Sequence, residues 1–99
     1  MDKGEKFLPI GSVVLLKGGK KKLMITGYCM KTEEEPDKIY DYNGCLFPEG
    51  EINSKITSVF DHKQIEKVFF KGYESEETEE FFKTIKAKLA EIEKKQEVL

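Results

Sequence analysis

The chain has 99 residues, 38% of them apolar and 36% charged, and carries a formal net charge of -2 with a pI near 5.5. That length leaves room for one hydrophobic core, so a single domain over residues 1–99 is expected. The acidic balance and the absence of Arg among 17 basic residues speak against nucleic-acid binding, and no run approaches the ~20 apolar residues that a membrane-spanning helix needs.

In chain order, residues 1–7 are mostly charged and are expected to be disordered, ahead of a β-rich body over 8–73. Ser12–Leu16 and Leu23–Met30 are rich in Val, Ile, Leu, Met and Tyr, and the tip Lys17–Lys22 between them holds the Gly18-Gly19 pair of a tight hairpin. Simple alternation puts Val13 and Leu15 opposite Val14 and Leu16, and Leu23 and Ile25 opposite Met24, Tyr28 and Met30, so both faces want cover. Lys31–Lys38 contains Pro36, lacks periodicity and reads as a loop. Ile39–Leu46 reads as a third strand with a bulge or turn at Gly44, and Phe47–Glu51 as an exposed turn. Ile52–Phe60 is ambiguous between strand and loop. Asp61 suits the N-cap of a short turn through Ile65, which leads into a strand containing Val68-Phe69-Phe70.

The tail reads as a helix over 75–98. Ser75 can cap it, Glu76, Glu77, Glu79 and Glu80 complement the positive end of its dipole, and Lys94 and Lys95 lie near the other end. Phe82, Ile85, Leu89 and Ile92 step by three or four residues and form one apolar stripe, with Phe81 beside it. The expected fold class is therefore α+β: four to five antiparallel strands in a small, strongly bent sheet or SH3-like barrel, with a long C-terminal helix. Val14, Leu16, Ile25, Val68, Phe70, Phe82 and Ile85 form its expected core. A helix over Glu76–Val98 is ~34 Å long and outreaches so small a body. Its overhanging residues Leu89, Ile92 and Val98 are the candidate partner-binding positions, whether for another protein or for a homodimer through the helix.

Little in the sequence points to chemistry. His62 is the only histidine, and no Ser, Cys or second acid accompanies it at a diagnostic spacing, so a surface-turn His is expected. The Lys17–Lys22 tip lacks the G-x-x-x-x-G-K-[ST] order and a following helix, and reads as a solvated hairpin tip. Glu33-Glu34-Glu35-Pro36-Asp37 does not make an oxygen cage and reads as a charged loop. Cys29 and Cys45 form no CxxC or metal spacing; reduced, partly buried thiols are expected, although neighbouring strands would leave a disulfide geometrically open. No catalytic residue, cofactor or metal ligand is assigned, and without a signal-like segment a cytoplasmic location is expected.

Over Leu8 to Phe82 the chain resembles the small Gram-positive family termed domain of unknown function 4176. The residues that carry the resemblance are Leu8-Pro9-Ile10-Gly11-Ser12-Val13-Val14, the Gly18-Gly19 tip, Gly27-Tyr28, Tyr40-Asp41-Tyr42, Phe47-Pro48-Glu49-Gly50 and Phe70-Lys71-Gly72-Tyr73. Members look like accessory proteins encoded beside type VII secretion genes and LXG-type toxins. The resemblance thus implies a non-enzymatic chaperone or targeting adaptor, whose partner would be an LXG-type toxin or its export complex. The alternatives are an immunity-type toxin binder or a small-ligand module. Tyr73-Glu74-Ser75-Glu76-Glu77 fits the loose Y-x-x-x-[DE] export pattern, but with no Trp for the accompanying Trp-x-Gly, export of this chain itself is not expected.

Overall fold

The computed structural model describes residues 7–53 and 57–98, with side chains described as far as Ile92. Its strands are β1 (Val13–Leu16), β2 (Leu23–Met30), β3 (Tyr40–Leu46), β4 (Ser58–Phe60) and β5 (Ile65–Phe70), followed by helix α1 (Glu76–Val98). They form one antiparallel sheet in the order β4-β3-β2-β1-β5. β4 and β5 lie at opposite edges, so the sheet is open and not closed into a barrel. The ambiguous stretch 52–60 contributes only the short β4; residues 54–56 lie outside the described residues.

The β1–β2 hairpin forms as its composition requires. Gly18 takes φ +76°, a conformation that costs a residue without Cβ little, and Gly19 N–H donates to Leu16 O at 2.9 Å to close the tip. The irregularity expected in β3 falls opposite Gly44, but the extra residue is on β2. Ile25 pairs with Gly44 and Gly27 with Asn43, leaving Thr26 as a bulge. That extra residue changes which face the rest of β2 presents. Tyr28, which simple alternation puts opposite Ile25, instead joins the row Tyr28–Tyr42–Phe60 on the face that also holds Val14, Leu23 and Ile25.

This face is covered by α1 through an aromatic cluster. Phe82 lies 5.6 Å from Tyr28 and 5.8 Å from Phe7 between ring centroids, and Tyr42 lies 5.5 Å from Phe60. Phe7 is 1% exposed and wedged between helix and sheet, against its expected disorder; residues 1–6 lie outside the described residues. The reason is a clamp on the next peptide unit: Leu8 N–H donates to Tyr42 Oη at 3.0 Å, and Tyr28 Oη donates to Leu8 O at 2.5 Å. Satisfying both backbone groups lets the segment be buried without a strand partner.

Ser75 caps helix α1. Thr78 N–H donates to Ser75 Oγ at 3.4 Å, and Ser75 N–H donates back to Thr78 Oγ1 at 3.3 Å, a capping box with Thr in the third position. Phe82 and Ile85 are buried, Leu89 is half-buried against the edge of the core, and Ile92 is 37% exposed. Among the described side chains of this 23-residue helix, Leu89 is the last one packed against the core.

Four of the seven expected core residues, Val14, Ile25, Phe82 and Ile85, are buried, and Leu16 is half-buried at the core margin. Val68 and Phe70 are not: they are 43% and 61% exposed. β5 is an edge strand: Val68 shares the face of Val14, but α1 rests on Phe7 and Tyr28, two strands away, while Phe70 pairs with Val13 and so lies on the face away from the helix.

Candidate functional site

The corner that contains His62 is a structural lock. Asp61 caps the single 3-10 turn His62–Gln64, with its N–H donating to Gln64 Oε1 at 2.8 Å. Asp41 and Asp61 are both buried; His62 N–H donates to Asp41 Oδ2 at 2.8 Å, and Asp41 N–H donates to Asp61 Oδ1 at 3.2 Å. The Lys38 ammonium lies 3.4 Å from Asp61 Oδ2, and the Asp61 charge raises the Lys38 pKa. His62 is half-buried with Nδ1 2.7 Å from Tyr42 Oη, so it is a packing and hydrogen-bonding residue instead of the solvent-facing turn His expected. Tyr42 Oη accepts from Leu8 N–H and shares one further hydrogen bond with Nδ1, whose direction follows the imidazole tautomer. Sequence reasoning missed Asp41, which it placed within the third strand without a role of its own.

The thiols are far apart. Cys45 pairs with Met24, whereas Cys29 lies between the pairs Tyr28–Tyr42 and Met30–Tyr40, level with Asp41. Four residues along β3 separate the two levels by ~13 Å, beyond the ~7 Å reach of a disulfide between Cα atoms, and both cysteines are free. Burial first, and the Asp41 charge second, push the Cys29 thiol pKa up, away from the thiolate that a nucleophile or metal ligand requires. At the hairpin tip, the Lys21 ammonium is 2.6 Å from Glu49 and holds that carboxyl below its ordinary pKa. Among the described residues no three His, Cys, Asp or Glu side chains are grouped to hold a metal ion.

What the structure leaves open is a surface. Along β5, Val68, Phe69 and Phe70 are all exposed, and Ile10 and Tyr73 are 54% and 83% exposed. Gly72 draws these two ends together: its N–H donates to Ser12 Oγ at 2.9 Å, and a Cβ there would come within 2.2 Å of Ile10 O, so only glycine permits the approach. Two lysines lie over the Phe69 ring, Lys22 at 4.5 Å and Lys67 at 4.7 Å from its centroid. The helix positions singled out from sequence lie elsewhere: Leu89 is half-buried on the core, Ile92 is beyond it, and the side chain of Val98 is outside the described residues.

Fold and surface together define a small α+β domain with an open antiparallel sheet and an uncovered aromatic edge strand. The chain belongs to the family described as Domain of unknown function (DUF4176), whose sequence profile matches residues 7–81. No curated protein and no solved structure matches it. Among the described residues no helix is long and apolar enough to cross a membrane.

Proposed function

We propose that this protein acts by binding another polypeptide in the cytoplasm and performs no catalysis: a chaperone or targeting adaptor for an LXG-type toxin of a type VII secretion system. The observation that carries the binding reading is the exposed apolar edge formed by β5, with Phe70 on the face of Val13, Val68 on the face of Val14, and exposed Phe69, Ile10 and Tyr73 beside them. A soluble monomer rarely leaves so many large side chains uncovered along one edge unless something docks on them. The secretion role rests on the family resemblance. The stretch of α1 beyond Leu89 offers a second contact, with Ile92 as its exposed anchor.

The test is co-purification of the full chain with an LXG-type toxin from the same genome, alongside toxin export in cells that lack the protein. Capture of the toxin, and loss of its export without the protein, are expected. Normal export together with failed capture overturns the reading. Ile92→Glu separates the two contacts: capture weakened about tenfold or more makes the helix an anchor, and unchanged capture leaves the sheet surface to act alone.

A further inference from the structure

Resting on the reading that the protein binds a polypeptide, we infer that the β5 surface accepts a segment whose apolar anchors are flanked by carboxylates, docked through side chains and not added as a sixth strand. The argument begins with charge. The chain as a whole is acidic, at -2, yet the rim of this surface is basic. Lys22 and Lys67 reach over Phe69, Lys17 N–H donates to Gln64 O at 2.8 Å beside the start of β5, and Lys63 precedes that residue. Among the described residues none of these four lysines has a carboxylate within ion-pair distance, and one acid, Glu66, lies on the strand with them. By contrast Lys21 and Lys71, just outside the surface, are each paired at 2.6 Å, with Glu49 and Glu74. The unmatched positive charge thus coincides with the exposed aromatic strand, and its complement is a set of acids placed around apolar side chains.

The register argues against a further strand as the occupant. Val13 pairs with Phe70 and Val14 with Val68, and Leu15 with Lys67 and Leu16 with Ile65, so Phe69 and Glu66 are extra residues on a six-residue strand. An edge bulged twice and bearing lysine resists ladder pairing, and a second copy would bring the same lysines against these. Nucleic acid fits less well. Its phosphates are best gripped by Arg, which the chain lacks, and the first turn of α1 presents Glu76, Glu77 and Glu79.

The experiment titrates the isotope-labelled full chain, followed by its amide spectrum, with three probes. Two are short synthetic peptides with the same leucine stripe and either glutamate or lysine at every other position; the third is an oligothymidylate. The glutamate peptide is expected to shift the amides of Ile65–Phe70, Ile10 and Tyr73, with affinity falling about tenfold from low to high salt. The exposed double substitution Lys22→Glu with Lys67→Glu is expected to reverse the preference toward the lysine peptide. Equal binding of both peptides, a stronger response to oligothymidylate, or β5 shifts that appear on concentrating the protein alone would each overturn the inference, the last in favour of a second copy. Shifts confined to α1 would sink it while leaving polypeptide binding intact, whereas failed toxin capture sinks the functional reading itself.

Discussion

The hydroxyl of Tyr42 lies 2.7 Å from Nδ1 of His62 and also receives the N–H of Leu8 at 3.0 Å. The single histidine is thereby joined to the N-terminal segment through one buried phenol that is itself 0% exposed. His62→Ala removes this hydrogen-bond partner from the buried hydroxyl, in a setting where a lost partner costs ~1–3 kcal/mol. The expected outcome is a lower melting temperature, with a smaller loss for His62→Asn, whose side chain can still hydrogen-bond. Unchanged melting for His62→Ala would remove the lock from the account of stability.

Phe7 makes the second prediction. Its ring sits within 6 Å of Tyr28, Tyr42 and Phe82, between sheet and helix. Phe7→Ala empties that wedge and is expected to cost ~3–5 kcal/mol, much of the stability of so small a domain. Chemical denaturation measures it directly; a loss under ~1 kcal/mol would mean the segment does not hold the helix down.

A pair of charge insertions separates core from surface. Val14→Asp puts a carboxylate at a fully buried position and is expected to cost several kcal/mol. Phe70→Asp, at a residue 61% exposed, is expected to cost less than ~1 kcal/mol. Circular-dichroism melts of the two variants side by side give the comparison, and equal destabilisation would place β5 in the core after all.

Alkaline pH provides the fourth test. Burial pushes the Tyr28 phenol from an ordinary value of 10.0 up to about 12 in the folded protein. Below pH 10 the phenol is protonated in both states and the shift has no effect on stability. Between pH 10 and 12 the unfolded chain loses this proton while the folded one keeps it, so stability falls as pH rises. Tyr28→Phe removes that titration, and its denaturation midpoint should fall less steeply across the window than that of the parent; identical slopes would contradict the burial of the phenol.

The local signals in the sequence were sufficient where local forces decide. The Gly18-Gly19 hairpin, the turn capped by Asp61 and the helix starting after Ser75 all form as their residues suggest, because each depends on backbone groups satisfied within a few residues. The family resemblance also holds over almost the same span, residues 7–81. The exposure of Val68 and Phe70 was not legible, since it depends on β5 lying at the edge of the sheet, with Val68 beyond the reach of the helix and Phe70 on the face away from it. The same composition at a central position of the sheet would have been core. Phe7 and Asp41 escaped for a related reason: each is fixed by partners more than 15 residues away, Phe7 by the clamp on Leu8 from Tyr28 and Tyr42, and Asp41 by His62. Of the candidate surface, the aromatic run Val68–Phe70 was visible, but the lysines gathered over it were not, because Lys22 comes from a different hairpin.

The bulge at Thr26 also decides what kind of sequence change the domain can absorb. A substitution there keeps the count and gives up only the exposed hydrogen bonds between the Thr26 hydroxyl and Asn43, so it should cost little. Deleting the residue, or adding one beside it, shifts the parity of every position that follows in the strand and would turn Tyr28 outward, away from Phe7, Tyr42 and Phe82. At that point the protein is indifferent to spelling and strict about count, so insertions and deletions should be rarer there than an exposed threonine would lead one to suppose.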